Sequence, residues 1–166
     1  MKKLIYSLFV LFFIVSSQKS NFNEKEKFIE NLISQMTLEE KVGQMTQINV
    51  TVIAKGPNRF SSSTPMEIDD NRANKALVEY KVGSVLNTIN NTAQKPSVWF
   101  KNISKIQEIS MNNNRLKIPV IYGIDAIHGT TYTDGATMFP QQITTAASWN
   151  PENAYNMAQV LSLIHI

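Results

Sequence analysis

Side chains able to do chemistry gather in residues 118–151, which read IPVIYGIDAIHGTTYTDGATMFPQQITTAASWNP. Residues 118–124 are apolar on both faces, as in a strand of a parallel sheet covered by helices. Pro119 sits near its start, where no ladder donor is lost. Such a strand ends at Gly123 and Ile124 and delivers Asp125 to its C-terminal mouth. In β/α folds that mouth is where ligands bind, because its loops vary while the strands hold position. A carboxylate there can accept paired hydrogen bonds from two neighbouring hydroxyls of a ligand, and charge-assisted bonds are roughly twice as strong as neutral ones. It can equally cap the following turn by accepting from backbone N–H groups. Spacing alone leaves both roles open.

The elements that must position this carboxylate are legible upstream. Residues 23–36 carry Phe28, Ile29, Leu32, Ile33 and Met36 at helical spacing, with Glu24 to Lys27 polar. Thr37 and Glu40 have the spacing of a capping box, so a short helix should start at Leu38 and run toward Gly43. Residues 44–52 alternate and are rich in Ile, Val and Thr, the pattern of a strand. Residues 54–65 form a loop by composition. A helix bearing Ala73, Ala76, Leu77 and Tyr80 follows, then a short buried strand over 82–86. Residues 95–111 place Trp99, Ile103, Ile106 and Ser110 on one helical face, ended by Asn112 to Asn114. Asn150 and Pro151 mark one more helix start, with Asn as cap and Pro in the first turn. Strands alternating with helices imply parallel β/α units, hence an α/β fold.

Composition narrows the function classes. Hydrophobic residues make up 43% and charged ones 17% of the chain, an ordinary globular balance. There is no cysteine, which excludes disulfides and thiolate metal sites. Basic residues are scattered without a stripe, so a nucleic-acid partner has no support. Lys2 and Lys3 precede an apolar run over residues 4–15 and the small residues Ser16 and Ser17. That is the layout of a cleaved signal peptide over residues 1–17. The run is too short for a stable membrane anchor, which needs roughly 20 apolar residues. The location implied is periplasmic or secreted. The sequons at Asn49, Asn90 and Asn102 read as chance in a chain this rich in Asn and Ser.

Three segments resemble the N-terminal domain of glycoside hydrolase family three, in its β-glucosidase and exo-glucanase branch. MTLEEKVGQMTQ at 36–47 resembles the family's opening motif, and IPVIYGIDAIHG at 118–129 its strand with the substrate-binding Asp. GATMFP at 135–140, followed by AASWNP at 146–151, resembles the next loop and helix start. Their order and spacing agree over nearly all of residues 23–160. The resemblance implies a partial TIM-type β/α barrel, its N-terminal strands and helices only. It implies retaining hydrolysis of β-linked glucosides or oligosaccharides from the nonreducing end, without a cofactor or metal. Asp125 would then hold hydroxyls of the glucose in the innermost subsite.

The same resemblance limits what this chain can do. The family's nucleophile lies in a Ser-Asp-Trp-like motif late in the barrel, and that motif does not occur here. The Lys-His pair and the Arg that grip sugar in relatives are missing too, so no catalytic residue is assigned. Asp134 and Glu152 are read as a loop acid and a first-turn helix acid. His128 is expected to brace the loop, Trp149 and Phe139 to be core, and Met36 and Met45 to pack together. Residues 18–160 are thus expected to be the N-terminal part of the barrel of a longer enzyme, itself inactive. Residues 161–166 are expected to be a non-native tail, since one codon choice for LSLIHI spells a sequencing-adapter end. A branch of the family that removes N-acetylglucosamine usually ends this strand differently. The alternative from another class is a periplasmic sugar-binding protein without catalysis.

Overall fold

A computed structural model describes residues 23–58 and 60–164; the expected signal peptide lies outside the described residues. The described residues divide into two compact units, one ending at Lys41 and the other beginning at Val42. In the first, helix α1 covers residues 23–35, and Phe28, Ile29 and Ile33 of its apolar stripe are exposed. Helix α2 then starts at Leu38 and runs to Gln44 (Leu38–Gln44). Its start is the reciprocal capping box: Thr37 N donates to Glu40 Oε2 at 2.9 Å, and Glu40 N donates to Thr37 Oγ1 at 3.2 Å.

The second unit is built on a parallel sheet of three strands in the order β1 (Gln47–Asn49), β2 (Ser84–Leu86), β3 (Ile121–Gly123). The crossover from β1 to β2 carries helix α3 (Asp70–Asn74), extended by a π-helical turn over Lys75–Glu79. The crossover from β2 to β3 is the long helix α4 (Pro96–Asn113). After β3 come α5 (Gln142–Ala146) and α6 (Pro151–Ile164). Among the described residues, no helix is long and apolar enough to cross a membrane.

Strands β1 and β3 are shorter than their apolar runs, for identifiable reasons. Residues 44–52 read as one strand, but Gln44 still belongs to α2 and residues Val50–Val52 curl into a 3-10 turn. Asn49 drives that curl, its side chain accepting from Thr51 N at 3.0 Å, which buries Val50. Before β3, Val120 gives its backbone to α4 instead of the sheet. Its N–H donates to Gln107 Oε1 at 3.0 Å and its carbonyl accepts from Gln107 Nε2 at 2.6 Å.

Alternation puts Ile48, Val85 and Tyr122, which are register partners, on one face. There Val85 joins Leu77, Ile106, Ile109 and Trp99 in a single buried cluster. The opposite face carries Gln47, Ser84 and Ile121, and Ile121 is 72% exposed. The expectation that residues 118–124 are covered on both faces is therefore met on one face only. On α4 the buried positions are Trp99, Asn102, Ile106, Ile109 and Ser110. Asn102, absent from the expected face, donates to Met66 O and Val98 O and accepts from Ile68 N, tying down the 54–69 loop.

A close approach fixes the start of the sheet. Gly83 N donates to Gly43 O at 2.9 Å, and a Cβ on either glycine would collide with backbone, of Gln44 for Gly83 and of Tyr80 and Lys81 for Gly43. Two side chains expected in the core are outside it. Met45 is 80% exposed because α2 stops at Gln44 and a turn, Thr46 N to Gly43 O, breaks the helical spacing; Met36 is half-buried. Trp149 is 94% exposed, since it occupies a left-handed turn (φ 52°) between α5 and α6 that aims its indole outward. Phe139 is half-buried.

Candidate functional site

The C-terminal ends of the three strands place Asn49, Asn87 and Asp125 along one edge of the sheet. Asn49 ends β1, Asn87 follows β2 directly, and Asp125 lies two residues beyond β3. Asp125 is exposed, and its carboxylate accepts no backbone N–H bond among the described residues. Its partner is Asn87: the amide Nδ2 donates to Asp125 Oδ2 at 3.1 Å. The reverse bond also forms, with Asp125 N donating to Asn87 Oδ1 at 3.2 Å. Asn87 thus engages Oδ2 of an exposed residue, which leaves the carboxylate with acceptor capacity to spare.

Asn87 is itself held from beneath. It adopts a left-handed conformation (φ 67°), which Asn tolerates better than most residues. Its N–H donates to Gly123 O at 2.8 Å, and its carbonyl accepts from the Tyr122 hydroxyl at 2.6 Å. Burial pushes the Tyr122 phenol far above its ordinary range, so it remains a protonated donor. The Tyr122 ring packs edge-on against Trp99, with centroids 5.8 Å apart and planes at 77°. Trp99 Nε1 in turn donates to Tyr132 O at 3.1 Å, linking α4 to the loop after β3.

That loop is braced by His128, as expected. Its Nδ1 lies 2.9 Å from Phe139 O, so this nitrogen carries the proton, and Phe139 N donates to His128 O at 2.7 Å. Gly129, between them, has φ 112° and faces the Thr137 carbonyl at a separation that a Cβ would violate. Asp134 is an exposed loop residue whose N–H donates to Gln94 O. Glu152 sits in the first turn of α6, where Asn150 Oδ1 accepts its N–H at 3.1 Å. Neither acid joins Asp125. A separate groove of about 350 Å³ runs between α5 and α6, lined by Phe139, Pro140, Thr145, Met157 and Val160 among others. It does not include Asp125. Sequence reading missed Asn87; the one available signal was an Asn directly after a buried apolar run, a position suited to left-handed backbone.

Among known proteins, the model of the glycosyl hydrolase family 3 N terminal domain matches residues 37–163. A lysosomal beta glucosidase of Dictyostelium discoideum is 34% identical over 161 residues, covering 89% of this chain and 18% of that protein. A periplasmic beta-glucosidase of Salmonella typhimurium is 26% identical, covering 82% of this chain and 14% of its own length. A putative beta-xylosidase of Formosa agariphila is 28% identical, with 92% and 20% covered. The chain therefore spans a fifth or less of the length of these relatives.

Proposed function

Since the chain belongs to glycosyl hydrolase family 3 through its N-terminal domain, we propose that it is the first part of an exported β-glucosidase. The whole enzyme cleaves β-linked glucosides from the nonreducing end with retention. Retention requires two carboxylates about 5–5.5 Å apart, one as nucleophile and one as acid/base. Neither is assigned to this chain, whose contribution is to bind.

The observation that carries the reading is Asp125, an exposed residue set just beyond the C-terminal end of a parallel strand. There it accepts hydrogen bonds from two neighbouring hydroxyls of the terminal glucose. Bonds to an ionised acceptor are shorter and stronger than neutral ones, so one carboxylate can anchor the sugar ring. His128 keeps the loop after Asp125 in shape without touching sugar. The three parallel strands with helical crossovers are the opening of a β/α barrel, whose wall the rest of the enzyme completes. The 166-residue chain alone is inactive. The glycosidase names of the relatives favour catalysis over a sugar-binding protein without chemistry.

The test is the complete reading frame, expressed and assayed on paired aryl β-glucoside and β-xyloside. Glucoside should be preferred, and NMR of the first product should show the β-anomer. An α-anomer as first product, or activity on xyloside alone, overturns the reading.

A further inference from the structure

We infer that Asn87 is the positioning residue of the Asp125 carboxylate, acting on the sugar only through it. The inference rests on the substrate-binding reading of Asp125. Every polar group of Asn87 engages residues 122–125: its N–H reaches Gly123 O, its carbonyl takes the Tyr122 hydroxyl, and its amide clamps Asp125 from both sides. The clamp spans two strand ends, 38 residues apart in the chain. Asp125 is exposed, so without the clamp its carboxylate would turn freely in solvent. Holding it in advance removes that ordering cost from substrate binding.

The residue type fits this task in two ways. A left-handed backbone is adopted readily by Gly, Asn and Asp, and of these only Asn offers an N–H donor on its side chain. The amide is neutral, so it orients the carboxylate without cancelling the charge that strengthens bonds to hydroxyls. Asn87→Gly keeps the left-handed backbone and its bonds to Gly123 and Tyr122 while deleting the clamp. Asn87→Asp keeps the shape but sets two carboxylates side by side.

In the full-length enzyme on an aryl β-glucoside, Asn87→Gly should lower kcat/KM about tenfold, the scale for one hydrogen bond to a charged group. The same change in an Asp125→Ala background should cost little more, because the group it acts through is gone. For Asn87→Asp, activity relative to the unaltered enzyme should recover as pH falls, when adjacent carboxylates share a proton. Equal losses from Asn87→Gly in both backgrounds would mark Asn87 as merely structural. So would a pH-independent ratio for Asn87→Asp, and either result overturns the inference while leaving the site reading intact. Unchanged activity in Asp125→Ala alone overturns both.

Discussion

Helices α4 and α6 both carry amphipathic sequences, yet their surroundings differ. On α4, Trp99, Ile106 and Ile109 are buried against Val85 and Leu77. On α6, Tyr155 is 64% and Val160 45% exposed, and the neighbouring Ile143 and Trp149 are 82% and 94% exposed. The difference is position relative to the sheet. α4 lies in the crossover between two paired parallel strands, so its apolar stripe meets the Val85 face. α5 and α6 follow the last strand, and among the described residues no further strand receives them. An apolar stripe is a requirement for burial; a partner surface supplies it.

Substitutions can break this comparison at several strengths. Ile106→Ala should cost about 2–5 kcal/mol, the usual penalty for emptying a fully buried aliphatic site, whereas Tyr155→Ala should stay within about 0.5 kcal/mol, the usual range for surface changes. Amide hydrogen exchange of the 166-residue chain reads this locally. Protection should fall across α4 and β2 for the first change and stay level for the second. Similar responses to both would erase the distinction.

At the strand mouth between these regions, Asp125→Ala in the full-length enzyme should cost on the order of 1.5–3 kcal/mol in transition-state binding. Steady-state kinetics on an aryl β-glucoside would give it as a loss in kcat/KM. An unchanged value returns Asp125 to a purely local role.

The open flank should make the 166-residue chain associate, through its exposed apolar side chains and the outer edge of β3, which pairs with no strand among the described residues. Light scattering should show mass rising with concentration, and Ile143→Ser with Trp149→Ser should reduce it. A concentration-independent monomer would show that exposure on this flank has no consequence.

The smallest effect belongs to the surface cluster over the α4 side. Hydrogen bonds from Lys55 and Lys101, at 2.9 and 3.2 Å, hold the Glu67 carboxyl below its ordinary value. A depressed folded value means stability that is present above the unfolded value and lost as pH falls through the folded one. Exposed pairs are screened, so the contribution is small and shrinks with salt. NMR titration of the Glu67 side-chain carboxyl should give a midpoint below that of a free glutamate, moving upward in Lys55→Ala. A midpoint at the ordinary value would remove this cluster from the account.

Features set by near neighbours were legible in the residues themselves. The Thr37–Glu40 capping box, the Asn150 cap with Glu152 in the first turn, the apolar stripe of α4 and the alternation of strands with helices all formed. Each depends on side chains within a turn or two of one another, where periodicity and backbone chemistry suffice. Asp125 was legible as a residue at a strand mouth, because an apolar run ending in a carboxylate carries that meaning by itself.

Its partner was not. The Asn87–Asp125 clamp joins the ends of two strands, and only their parallel register brings those ends together. The same holds for Asn102, whose sequon reads as chance and whose place on the buried face of α4 the residue spacing did not mark; it lies buried where the 54–69 loop needs its amide. Met45 and Trp149 went the other way, left exposed by turns that no hydrophobicity pattern encodes. Sequence determined which elements form and which residues were fit to be buried or to bind, since these are local properties of the chain. Tertiary structure decided which of those residues found a partner, because a partner 38 residues away is chosen by strand register and crossover geometry.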